Sequence, residues 1–234
     1  MSAASRGREN AHGIFVCENI MVNVACYIDG FNMYHSIDEG NRASGYLKGH
    51  LKWVDLYALM KRFTDPAIHT VQQVKFFTAY PVWNPAKLSR HQNYVAALRH
   101  TGVTIVEGKF KTKDSYCKNC RTTYQGREEK ESDVNIAMHL INDAHCGVFD
   151  QAFLVTNDSD LLGPVRMLRN TIPDKKIKVI APPFRRHSKE LWAAANGRAK
   201  IGEAHLLACL LPIEAFDGAG NVIFRRPNEY AIPV

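Results

Sequence analysis

The chain has 234 residues, 46 % of them hydrophobic, and carries a formal net charge of +7. That length supports one full-sized core, the composition excludes a disordered chain, and no apolar run approaches the roughly 18 residues that a bilayer-spanning helix needs. The positive charge suits a polyanionic partner, although many basic proteins bind no nucleic acid.

Residues 1–20 are polar, small and aperiodic, and are expected to form a flexible arm. No apolar secretory region precedes a small-residue cleavage site, so a reduced cytoplasmic compartment is expected, with the six cysteines as thiols. Val22–Ile28 predicts a first strand, apolar enough to be buried on both faces, that stops at Asp29. Gly30 then permits a tight turn. Residues 32–37 begin either a helix or a loop, and 40–49 read as a loop. Trp53, Leu56, Leu59, Met60 and Phe63 are spaced as in a helix over 53–63. A second strand follows over 71–80, then a helix over 87–100 closed by Gly102, and a third strand over 103–106. Lys109–Arg127 reads as a basic hairpin insert. Ser132 is placed to cap a helix over 133–144. The fourth strand, Ala152–Thr156, runs into Asp158 and Asp160, and a helix over 161–170 starts at once. A fifth strand covers 177–181. Helices are expected over 189–195 and 203–210, the second including Cys209. The tail, 212–234, carries turn signals at Asp217-Gly218 and Gly220-Asn221 that suit a short hairpin. Strands alternating with helices predict an α/β, Rossmann-like domain over 21–211. Its central, mostly parallel sheet would have about five strands, with helices on both faces.

The chemistry-bearing residues are the aspartates. Asp29, Asp158 and Asp160 follow apolar strands, and Asp133 opens a helix. Strand C-termini of a parallel sheet share one edge, where ligands of open α/β folds collect. Each aspartate by itself reads most simply as a helix cap. The set of four reads better as an oxygen-only site for a hard divalent ion, Mg²⁺ or Mn²⁺, able to activate water against a phosphodiester. Other acid-bearing α/β sites fit less well. Phe31 stands where a dehalogenase-type phosphotransferase needs its second aspartate, and G-x-G-x-x-G, G-x-x-x-x-G-K-[ST] and G-x-S-x-G are all absent.

YIDGFN, EEKESDVNIAMHLI and FLVTNDSDLLGPVRMLR, in that order, resemble the NYN domain family, a branch of the PIN-like ribonucleases. The family pattern is a strand ending in D-x-x-N, a helix opening K-x-x-D-V, and a strand ending S/T-x-D-S-D. The likeness covers residues 22–227, and the tail LLPIEAFDGAGNVIFRRP is similar to bacterial members. It implies a Rossmann-like sheet and a metal-dependent ribonuclease site built from Asp29, Asp133, Asp158 and Asp160. Asn32 would orient Asp29 or a metal-bound water, and Lys130 would touch phosphate. Glu131 lies near but off the matched position. Ser159, Arg185 and Arg186 are expected to contact the substrate, the arginines from the loop after the fifth strand at the same sheet edge. Thr156-Asn157 replaces the small residue and glycine common in the family.

In the insert, Lys109, Lys111, Lys113, Lys118, Arg121 and Arg127 alternate with Phe110, Tyr116 and Tyr124. Such a ribbon can grip phosphates and stack on unpaired bases; equally, it can be a solvated hairpin with its rings turned to the core. Cys117 and Cys120 supply two of the four ligands that a structural zinc needs, with His145 and Cys146 as candidates for the rest, and the pair is expected to be metal-free. The expected function is RNA hydrolysis with Mg²⁺ or Mn²⁺. An RNA-binding module without turnover and a phosphatase are the alternatives. A homodimer is the default assembly.

Overall fold

Burial on both faces of the first strand sets the architecture. In β1 (Val22–Asp29), Val24, Cys26 and Ile28 enter one core cluster and Ala25 and Tyr27 the other, all of them fully buried. Such a strand must be covered on both sides, and the rest of the chain supplies the cover. α1 (Gly30–Ser44), α2 (Leu56–Lys61), β2 (His69–Thr78), α3 (Pro85–His100) and β3 (Thr104–Glu107) come next. β4 (Lys109–Tyr116) and β5 (Thr123–Lys130) form an antiparallel hairpin. Then come α4 (Ser132–His145), β6 (Gln151–Val155), α5 (Leu162–Thr171), β7 (Lys176–Ala181), α6 (Lys189–Ala194), β8 (Gly197–Lys200) and α7 (Glu203–Leu207). A C-terminal hairpin of β9 (Glu214–Phe216) and β10 (Val222–Arg225) closes the chain. The computed structural model describes residues 21–44 and 48–233, residues 41–44 by backbone alone, and before them only the pairing of Arg8–Glu9 with Phe15–Val16. The arm expected over 1–20 otherwise lies outside the described residues.

Among the described residues, six strands pair in parallel in the order β8-β7-β6-β1-β2-β3. The connections run outward in opposite directions from β1 and β6, so the topological switch point falls between those two strands. The sheet therefore has one strand more than the five expected. The additional one, Gly197–Lys200, is a four-residue edge strand of alternating exposure. Its glycine and two cations give no apolar run to read.

Several local expectations change. Residues 40–44 continue α1 instead of opening a loop. Gly30 does not make a tight turn. A Cβ there would lie 2.5 Å from the Phe77 carbonyl oxygen and 2.7 Å from the Phe76 ring, so the bare Cα lets α1 start directly against β2. α2 is shorter than the 53–63 spacing suggested, because the Asp55 side chain caps it by accepting from Ala58 N at 3.0 Å. Trp53, fully buried, leaves that helix to pack on Phe224 of β10, and its Nε1 donates to Pro212 O at 3.0 Å. Cys209 is buried but lies beyond the end of α7. Ser132 does not cap α4. Glu131 occupies the cap in a left-handed conformation (φ 80°), and Ser132 bonds backward to Glu129.

A polar network sits inside the face covered by α4. Asp143 Oδ2 accepts from Lys75 Nζ at 2.6 Å, Tyr27 OH at 2.7 Å and Gln73 Nε2 at 2.9 Å, and Lys75 Nζ also meets His139 Nδ1 at 3.1 Å. Burial opposes the Asp143 charge, but the Lys75 and Tyr27 bonds outweigh it and hold the carboxyl below its usual range.

Candidate active site

The site forms where β1 and β6 end side by side. Ile28 pairs with Val155, which sets Asp29 next to Thr156. Thr156 Oγ1 donates to Asp29 Oδ2 at 3.0 Å. Asn32 donates twice to the same carboxylate, from its backbone N to Oδ1 at 2.9 Å and from Nδ2 to Oδ2 at 2.6 Å. The backbone bond is the usual N-cap interaction of a helix start, so Asp29 caps α1 as well as facing the site. Asn32 Oδ1 in turn accepts from Asn157 N at 3.3 Å, and Thr156 Oγ1 accepts from Asp158 N at 3.1 Å. Asp158 Oδ1 accepts from Asp160 N at 3.0 Å, capping the single 3₁₀ turn Ser159–Leu161. One chain of hydrogen bonds thus joins Asp29, Asn32, Thr156, Asp158 and Asp160. Burial raises the Asp29 carboxyl, the bonds from Asn32 and Thr156 oppose this, and the Asp158 charge adds to the rise.

The other half of the site comes from the junction of β5 with α4. Asp133 lies in the first turn of α4, and its carboxyl is pushed up to about 6, first by burial and then by Asp29, Asp158, Glu129 and Asp160. Four other carboxylates therefore act on Asp133 at this edge. Glu129 is the member that sequence reasoning missed. It is half-buried, is itself raised by burial and by Asp29, and is held by bonds from Ser132 N and Oγ. Strand alternation alone does not single it out. Residues 129 and 131 of a continuing strand share a face, but the left-handed turn at Glu131 breaks the alternation, and that side chain pairs with Lys109 instead.

The remaining expected contacts are placed as follows. Lys130 points to the hairpin's other face and pairs with Glu128 at 2.8 Å. Arg185 makes a two-pronged pair with Glu39 on α1. Arg186 and Ser159 are exposed. Cys117 and Cys120 lie at the hairpin end, where Cys120 Sγ meets Thr122 Oγ1 at 2.9 Å. Tyr116 and Tyr124 are solvent-exposed, while Phe110 packs on Phe31 and Trp83. Among the described residues, no three His, Cys, Asp or Glu side chains are grouped closely enough to hold a metal ion by themselves. His145 and Cys146 accordingly do not complete a site with the two hairpin cysteines.

Next to the acids, between α1, α3 and the base of the hairpin, lies a cavity of about 310 Å³. Its wall includes Thr78, whose Oγ1 is 2.9 Å from His91 Nε2. Burial holds the His91 imidazole down at about 4, against about 6.5 in an unfolded chain. The folded state therefore binds fewer protons between these values, and stability contributed by the neutral ring is lost as pH falls from about 6.5 towards 4. His91→Gln, which keeps a partner for Thr78, is expected to remove up to about 3 kcal/mol of that acid-side loss, measured by urea unfolding at pH 7.5 and 4.5.

Among the described residues, no helix is long and apolar enough to cross a membrane. The chain is 31 % identical over 225 residues to a Pseudomonas putida protein named 6-hydroxy-3-succinoylpyridine 3-monooxygenase HspA, an alignment covering 80 % of this chain and 69 % of that one. Its fold is similar to the crystal structure of VPA0982, a protein of unknown function from Vibrio parahaemolyticus. That match has a TM-score of 0.52 and 20 % identity, and covers 82 % of this chain and 97 % of the other; at that identity it speaks for the fold alone. The NYN domain model matches residues 23–201, a span containing both strand ends and the start of α4. The family is generally RNA-associated, its nucleases typically use divalent metals, and membership supports a nuclease-type function. With that model matched over most of its length, the chain belongs to the NYN domain family, within the PIN-like nuclease superfamily.

Proposed function

We propose that the protein is a metal-dependent endoribonuclease that hydrolyses RNA phosphodiester bonds at the acidic edge of the sheet. The observation that carries this reading is Asp133. After burial, the leading influences on it are four other carboxylates, a concentration of negative charge that a cation would relieve.

The donor set fits a hard divalent ion. All five groups offer oxygen, and the carboxylates of Asp133 and Asp160 have no hydrogen-bond or ion-pair partner among the described residues. Mg²⁺ typically takes one or two protein carboxylates and fills its shell with waters and substrate phosphate, so an open site without a closed cage of three ligands suits it. One or two of Asp29, Asp133, Asp158 and Asp160 would ligate the ion directly, and the others would act on it through its waters. When bound, it supplies a water of lowered pKa and neutralises phosphate charge. The chain's own contribution is positional. Asn32 and Thr156 fix both oxygens of Asp29, and the Asp160 N–H fixes Asp158. Glu129 adds negative charge on the α4 side. Of the three cations expected at the substrate, Arg186 is exposed and has no ion-pair partner among the described residues, whereas Lys130 and Arg185 pair with Glu128 and Glu39.

A second reading, oxidation of a small hydroxylated pyridine, is favoured by the name of the Pseudomonas relative together with the cavity beside the acids. One panel separates the readings. Single-stranded RNA, structured RNA, single-stranded DNA and p-nitrophenyl phosphate are each incubated with Mg²⁺, Mn²⁺ or EDTA. In parallel, 6-hydroxy-3-succinoylpyridine is supplied with a hydride donor and O₂. RNA cleavage that stops in EDTA is the expected result. Salt-sensitive RNA binding without cleavage would make the protein a binding module. Hydrolysis confined to the small phosphate would make it a phosphatase, and a hydroxylated pyridine product would make it an oxygenase.

A further inference from the structure

We infer that the cavity beside the acids receives one unpaired nucleotide of the RNA, its base stacking on Trp83 with Phe110 against its edge and its phosphate met by Arg127 and Lys87. The inference rests on the ribonuclease reading and deepens it, because it names what the site selects: single-stranded stretches next to the scissile bond.

Size and lining come first. At about 310 Å³ the cavity falls at the lower end of the roughly 300–1,000 Å³ range of small-ligand sites. Its mouth is aromatic: Trp83 and Phe110 meet edge to face at 4.5 Å between centroids, and Phe110 and Phe31 at 5.3 Å. Trp83 is 39 % exposed, so part of its side chain is not consumed by the core. A base laid on such rings gains stacking energy whatever its identity.

Charge then selects the ligand. Among the described residues, the lining holds Lys52, Lys87, Arg90 and Arg127 and no aspartate or glutamate. Two of these cations are neutralised from outside the lining, Lys52 by Asp38 and Arg90 by Glu229. Lys87 has no ion-pair partner among the described residues. Arg127 lies 5.3 Å from the Trp83 ring centroid and, among the described residues, donates only to the neutral Thr112 hydroxyl. Two uncompensated positive charges therefore stand at an aromatic mouth, which suits a planar ring bearing an anion better than a neutral apolar molecule. Deeper in, the Thr78 hydroxyl and the neutral His91 ring present the mixed donor and acceptor character that a base edge can use.

Position ties the cavity to the proposed chemistry. Phe31 lies between Asp29 and Asn32 in the chain, and Phe110 pairs across the hairpin with Glu129, placing their side chains on one face. The rings that wall the cavity are thus immediate neighbours of the carboxylates. A nucleotide seated there puts its own linkage at the acidic edge. Bases stacked within a duplex cannot enter without leaving the helix.

The test is binding in EDTA, which needs no turnover. Fluorescence anisotropy compares a labelled six-nucleotide single-stranded RNA, the same RNA in a duplex, and an abasic ribose-phosphate oligomer of equal length. The part of the tryptophan quenching by nucleoside monophosphates that is lost in Trp83→Ala shows whether the free nucleotide also enters, since Trp192 is exposed as well. The single strand is expected to bind about tenfold more tightly than the abasic oligomer, and Trp83→Ala to remove that difference while leaving abasic binding unchanged. Phe110→Ala should do the same, and Trp83→Phe should restore it. Arg127→Gln should weaken both oligomers and lower the salt slope by about 1. Equal binding of base-bearing and abasic oligomers overturns the inference, as does unchanged binding by Trp83→Ala, or a small aromatic acid such as nicotinate quenching Trp83 where nucleotides do not. RNA cleavage with base-independent binding would leave the ribonuclease reading standing and this inference rejected. Base-dependent binding without cleavage would do the reverse.

Discussion

Asp160→Asn is expected to lower Mn²⁺-dependent RNA cleavage by about 10²-fold or more, the loss typical of deleting one electrostatic element of an active site, while leaving the fold intact. Asp160 is exposed, its carboxylate makes no protein contact among the described residues, and only its backbone N–H serves Asp158. Asparagine keeps that bond and removes the charge. Asp133→Asn should lose a similar amount of activity but change stability in a revealing direction. The Asp133 carboxyl is raised to about 6 in the fold, against about 3.9 when unfolded. The folded state therefore binds more protons between those values, and wild-type stability should fall as pH rises from about 4 to about 6 and stay low above it. Asp133 is half-buried and partly screened, so the cost is discounted to about 1 kcal/mol, or roughly 2–4 °C in Tm for a domain of this size. In EDTA at pH 7.5 the variant should melt that much higher than wild type, with the acid-to-neutral slope flattened. Addition of Mn²⁺ should raise the Tm of wild type more than that of the variant. An Asp160→Asn protein that still cleaves RNA at the wild-type rate with Mn²⁺ would falsify the assignment.

Lys75→Met should destabilise the protein by about 3–5 kcal/mol, the usual consequence of stranding one member of a buried ion pair, and lower Tm by roughly 10 °C. The side chains of Lys75 and Asp143 are 9 % and 7 % exposed, and without the ammonium the Asp143 carboxylate would keep only Tyr27 and Gln73 as donors. The double replacement Lys75→Met/Asp143→Leu should recover much of the loss, because removing both charges is far cheaper than removing one. Urea unfolding of the four proteins of that cycle measures the coupling. A single variant within about 0.5 kcal/mol of wild type would show that the network is hydrated rather than buried.

The strands that carry chemistry were legible because they are buried on both faces. VNVACYID and QAFLV have no solvent side to mask the signal, and each ends abruptly in carboxylates. The edge strand GRAK has one exposed residue in two and two cations, so pattern reading passes over it. α1 was partly hidden because its first residues, GFN, read equally as a turn. Gly30 is needed not for a left-handed turn but for contact with Phe76 and Phe77, a requirement set by a strand some fifty residues away. Acidic spacing pointed to Asp29, Asp133, Asp158 and Asp160. It could not choose between Glu129 and Glu131, because the choice depends on a left-handed residue at the hairpin exit. Nor could it show that Arg185 is spent on Glu39 and Lys130 on Glu128.

By itself, the sequence determined the α/β class, the family, and the two strand ends on which the acids sit, since local hydrophobic runs and short motifs encode those directly. The tertiary structure alone decided the rest. Parallel pairing of β1 with β6 placed Asp29 beside Thr156 and put the switch point at the acids. Folding the hairpin back brought Glu129 to them, and Phe110 to Phe31 and Trp83. These juxtapositions join residues far apart in the chain, and no local propensity records them. The burial and repulsion that raise Asp133, and the cationic, aromatic cavity beside it, exist only once the sheet has closed that distance.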